Sequence, residues 1–115
     1  MSLTFAIRRF TEGPRMRFTS IDDDCDLTAL WMPKKDELSE WKDLLLYARR
    51  GKKMTIESAH EDFEPYVEIE VGREITVTAF HYEHADNFYE DSFSETITLK
   101  EFEKFATAFI AELEK

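Results

Sequence analysis

YVEIEVGREITVTAFHYE, residues 66–83, decides the fold. Val67, Ile69 and Val71 alternate with Glu68 and Glu70. After Gly72 and Arg73 the alternation resumes, with Ile75, Val77 and Ala79 set against Thr76, Thr78, Phe80 and Tyr82. A period of two sends each set to one face of a β-strand, and the short glycine-containing connection makes the two strands a hairpin. One face is apolar and predicts burial. The other carries glutamate on one strand and threonine with aromatic rings on its neighbour, and predicts solvent.

Working outward, MTIES (54–58) reads as a strand entering the same sheet, and HEDFE before Pro65 reads as a loop. Downstream, HADNFYEDSF forms the core of an aromatic and acidic loop from His84 to Ser94, and ETITL (95–99) is a strand that runs into a helix. Thr98 and Glu101 have capping-box spacing, followed by Phe102, Phe105, Ala106, Phe109, Ile110 and Leu113 on one broad apolar stripe. A first helix is predicted over 36–50, where Leu38, Trp41, Leu44, Leu45 and Ala48 share a face. Asp36 is placed to cap that helix, and Gly51 to take the left-handed position after it. The opening LTFAIRRFT and RMRFTSI flank Glu12-Gly13-Pro14 as a hairpin, and CDLTALWMP returns as a third strand ending at Pro33.

The order is βββαββββα. Hairpin-linked strands imply an antiparallel sheet, and two one-sided helices imply that both cover its apolar face. The expectation is one α+β domain over residues 1–115, with about six to seven strands in a single sheet.

Charge is distributed unevenly. Residues 57–95 hold twelve carboxylates and one formal cation, Arg73, a local charge of −11 in a chain of net −10. Basic residues gather elsewhere: Arg8, Arg9, Arg15 and Arg17 in the first hairpin, and Arg49, Arg50, Lys52 and Lys53 at the exit of the first helix. A strongly anionic chain repels phosphate backbones and anionic lipid, so neither nucleic acid nor a membrane surface is an expected partner, and a cationic protein is. An acidic surface also serves solubility alone. The single cysteine, Cys25, and the lack of a long apolar run fit a reducing, cytoplasmic setting. Monomer and homodimer both remain open.

No catalytic motif stands out. Asp22, Asp24 and Asp26 begin like a calcium loop, but the sixth and twelfth positions hold Leu27 and Pro33 instead of glycine and glutamate. Cys25 lies among aspartates, which raise a thiol's pKa, and three glycines in the whole chain supply neither a phosphate-cradling loop nor a nucleophile elbow. His81 and His84, with Glu83 and Asp86 nearby, are the one set that suggests a zinc or manganese site and a small metal-dependent enzyme. Strand alternation separates the two imidazoles, and His81-x-Glu83 lacks the P-C-x-x-C of a zinc deaminase. No cofactor, metal or catalytic residue is expected.

ELSEWKDLLLYARRGKKMTIES (37–58), a strand hairpin and TLKEFEKFATAFIAEL (98–113), in a small acidic α+β chain, resemble the immunity proteins of bacterial contact-dependent and polymorphic toxins, those beside wall-associated toxins above all. The resemblance spans about residues 25–115 and implies neutralisation of a cognate toxin domain, frequently a basic nuclease, without catalysis. Independently of it, the charge pattern singles out Glu68, Glu70, Asp86, Glu90 and Asp91 as residues that steer a cationic partner, with Phe88 and Tyr89 as anchors. A DNA-mimicking inhibitor would share the acidity, but it needs carboxylates spaced like phosphates along one face.

Overall fold

The computed structural model describes residues 2–10, 13–21, 26–31, 37–58, 66–82 and 90–115. They form β1 (Ser2–Phe10), β2 (Gly13–Ile21), β3 (Asp26–Trp31), α1 (Leu38–Arg50), β4 (Met54–Glu57), β5 (Tyr66–Val71), β6 (Ile75–Tyr82), β7 (Glu90–Ile97) and α2 (Leu99–Leu113). The element order matches the expectation. The sheet does not: β1-β2-β3 make a three-stranded antiparallel sheet and β4-β5-β6-β7 a separate four-stranded one. Alternation along a strand reports which face is buried, and it reads the same whether seven strands share one sheet or two. The break falls where α1 separates β3 from β4 and no hairpin links them.

Both sheets turn their apolar faces to one core. Met16, Phe18 and Trp31 come from the first sheet, and Ile56, Val67, Ile69, Val71, Ile75, Val77 and Ala79 from the second. Strand β3 lies close to β5, β6 and β7, so the first sheet meets the second through that edge. The two helices pack against each other; α1, which follows the first sheet, also lies against β4 and β5 while its Trp41 meets Trp31 of β3, whereas α2, which follows the second sheet, lies against β1 and β2. This corrects the expectation that both helices pack on the apolar face of one sheet.

The helix termini follow local chemistry. Gly51 sits at φ 65° and its N–H donates to the Ala48 carbonyl, while the Lys52 N–H donates to the Tyr47 carbonyl at 2.9 Å. That pair of bonds is a Schellman motif, and its left-handed residue favours glycine. At α2 the capping box is present, with Glu101 N–H donating to Thr98 Oγ1 at 3.1 Å and Thr98 N–H to Glu101 Oε1 at 3.3 Å. At α1 the N-cap is Glu37, one residue later than expected, and its side chain makes no cap bond; Asp36 lies outside the described residues. The Glu37 carboxylate turns inward instead, where Oε1 accepts from Trp31 Nε1 at 2.6 Å and Trp41 Nε1 at 2.7 Å.

A second correction concerns the loop from His84 to Ser94. Strand β7 begins at Glu90, in register with Tyr82, and continues through Asp91 opposite His81 and Phe93 opposite Ala79. Only residues 83–89 lie between β6 and β7, and they are outside the described residues.

Candidate functional site: a glutamate and threonine sheet face

The polar face of the second sheet can be built residue by residue from the register. Along β5, Val67, Ile69 and Val71 are buried, so Glu68 and Glu70 point the other way; Glu70 is exposed and Glu68 half-buried. Across β4 the pairs are Glu57 with Glu68 and Thr55 with Glu70, and across β6 they are Glu68 with Thr78 and Glu70 with Thr76. Strand β7 extends the face with Thr96 opposite Thr76 and Ser94 opposite Thr78, whose hydroxyls lie 3.2 Å apart. The result is a lattice of hydroxyls and carboxylates with three glutamates grouped at the β4–β5 side.

Glu57 and Glu68 stand directly across the ladder from each other. Like charges in that position repel and destabilise the sheet by a few tenths to about 1 kcal/mol. Among the described residues no cation pairs with Glu57, Glu68 or Glu70. Along β5 the two carboxylates stand about 6.7 Å apart, the spacing of residues two positions apart in a strand. What this face can do chemically is accept hydrogen bonds and attract cations.

The sequence-derived site divides in three. Glu68 and Glu70 lie together on the described face. Glu90 and Asp91 are placed by the backbone at the start of β7, at the end of the strand away from Ile97. Asp86, Phe88 and Tyr89 lie outside the described residues, as do His84, Glu83 and Cys25. Sequence reasoning passed over Glu57, although Thr55, Ile56 and Glu57 already alternate in MTIES; its partner Glu68 follows only from the β4–β5 register. It also counted Glu95 with the acidic stretch. Glu95 is buried, faces the core, and accepts a 2.7 Å hydrogen bond from Ser20 Oγ, tying β7 to β2.

A cleft of about 250 Å³ lies between β1 and the start of α2, with Phe5, Phe18, Ile97 and Phe105 as its apolar lining and Glu101 and Lys104 contributing charge. The Glu101 carboxylate is committed to the Thr98 cap, and the cleft gathers no convergent polar groups of the kind that orient a small ligand. No cluster of three metal-ligating side chains is present among the described residues, and no described helix is long and apolar enough to cross a membrane. The chain matches no family model, no curated protein and no solved structure.

Proposed function

We propose that the chain is a non-catalytic binding module whose glutamate and threonine sheet face receives a cationic protein. The observation that carries this is the Glu57, Glu68 and Glu70 group, held on one open face without a described cation and with two members set against each other across the ladder. A cation from a partner relieves that repulsion, and the surrounding threonine hydroxyls offer hydrogen bonds to its guanidinium or ammonium groups. In its finer form the proposal is an immunity protein acting in the cytoplasm, with a basic toxin domain as partner, in keeping with the resemblance of residues 25–115. Asp86, Glu90 and Asp91 extend the steering charge in this scheme, with Phe88 and Tyr89 as anchors.

The test compares wild type with Glu68→Lys/Glu70→Lys. Wild type used as bait in an extract of the source cell should retain a basic protein, and the variant should lose it. With that partner purified, the variant should associate roughly ten-fold or more slowly at low salt and with a shallower salt dependence. Association at the same rate by both proteins rules out this face.

A further inference from the structure

The first sheet has a polar face of its own, and its charge is opposite. Met16, Phe18 and Ser20 of β2 are buried, so Arg15, Arg17 and Thr19 lie on the other side of the strand. On β1, Thr4, Ala6 and Arg8 share that side. The register sets Arg8 opposite Arg15, Ala6 opposite Arg17, and Thr4 opposite Thr19. Arg8 and Arg17 are exposed, diagonal neighbours on one flat surface, and neither has a carboxylate partner among the described residues. The small Ala6 side chain between them leaves the surface low enough for another sheet to approach.

Arg8 and Arg17 thus set like charges at diagonal positions on the first sheet, and Glu57 and Glu68 set like charges of the opposite sign directly across the ladder of the second. The described ion pairs, Arg9 with Glu112, Arg49 with Glu103 and Lys115 with Glu112, do not join the two faces within one molecule.

We infer that the arginine face of β1 and β2 docks on the glutamate face of β4 and β5 of a second copy of this chain. Guanidinium forks match carboxylates two bonds at a time, and threonine methyl groups on both faces, with Ala6 on the arginine face, fill the space between the charged heads. Because the two surfaces differ, the contact is head to tail, and each copy added to an open chain leaves one arginine face and one glutamate face free. A face two strands wide and six residues long covers about 200 Å² per partner, well below the roughly 800 Å² of a standard interface. The association is therefore weak and concentration-dependent. The net charge of −10 opposes it over longer distances, where salt screens most, and the facing pairs favour it at contact.

Sedimentation equilibrium on the full chain tests this. At about 0.1 M salt, where the Debye length is about 10 Å, the weight-average mass should rise steadily above 13.6 kDa as protein reaches about millimolar concentration, without a plateau at the dimer. At about 1 M salt it should return to the monomer value, since the screening length falls to about 3 Å. Arg8→Glu/Arg17→Glu and Glu68→Lys/Glu70→Lys should each stay monomeric alone, and an equimolar mixture should associate again because each restores the face the other has lost. A wild-type chain that is monomeric throughout overturns the proposal, as does a mixture that fails to associate where wild type does. If either variant is misfolded by circular dichroism, amide chemical shifts of wild type on dilution decide. Changes at both β1–β2 and β4–β5 support the contact, and changes at neither or only one overturn it.

Discussion

Glu37 stands at the start of α1 and turns its carboxylate into the core: the residue is 2% exposed, and Oε1 is shared by two fully buried indoles. Trp31 comes from β3 and Trp41 from α1, and their rings meet edge to face at 5.2 Å, with Phe109 of α2 5.1 Å from Trp41. Removing the carboxylate leaves two buried N–H donors without this acceptor. Glu37→Ala should cost about 2–5 kcal/mol, and Glu37→Gln, which keeps an acceptor oxygen, distinctly less. Chemical denaturation followed by tryptophan fluorescence measures both. Glu112 is a contrasting, half-buried case at the surface. The Lys115 ammonium donates to Glu112 Oε1 at 3.1 Å, and Arg9 reaches Glu112 Oε2 as well as the Glu112 carbonyl. The Lys115 hydrogen bond first, then the Lys115 charge and the hydrogen bond and charge of Arg9, hold the Glu112 carboxyl below its ordinary range, against an opposing effect of burial. A carboxyl whose folded pKa is depressed stabilises the fold above its unfolded pKa and stops doing so as pH falls through the folded value. Glu112→Gln should melt slightly below wild type at neutral pH, and the two melting temperatures should converge in acid.

At the scale of elements, local rules succeeded where an element is decided locally. The Schellman motif after α1 depends on a left-handed residue, and an added Cβ at Gly51 meets nothing within 4 Å. The cost of Gly51→Ala is therefore conformational, about 1 kcal/mol, with Gly51→Asn closer to wild type; denaturation midpoints separate the three. β5, β6 and the capping box of α2 were legible for the same reason, since alternation and cap spacing lie within a dozen residues. β7 was legible only in part. Asp86, Asn87, Asp91 and Ser92 are turn-forming types, so the run reads as a loop up to Ser94. The ladder with β6 nevertheless continues as far as Glu90 opposite Tyr82. Strand propensity is set largely by the neighbour a strand finds, and β6 supplies a long one.

At the scale of the molecule, the packing of the helices makes each half incomplete. α1 rests on strands that follow it in the chain, α2 on strands at its opposite end, and Ser20 with Glu95 joins the sheets. Fragments 1–51 and 52–115 should each lack a stable fold alone, and the intact chain should unfold in one cooperative step with coincident fluorescence and circular dichroism transitions. A fragment that retains a cooperative melt of its own contradicts this. The candidate site has the same divided origin. Glu68 and Glu70 were legible from alternation within β5, and Arg8, Arg15 and Arg17 from their hairpin, but Glu57 joined the site only through pairing. Glu95 left the site because β2 covers it. By itself the sequence determined the order and type of the elements, the buried face of each well-patterned strand and helix, and the uneven charge. Those follow from periodicity and capping, which act over a few residues. Only the tertiary structure decided that seven strands divide into two sheets, that each helix packs against strands of the other half, and that Glu57 and Glu68 confront each other. Such outcomes depend on which distant apolar faces find one another, and a one-dimensional pattern is identical for every pairing that buries the same side chains.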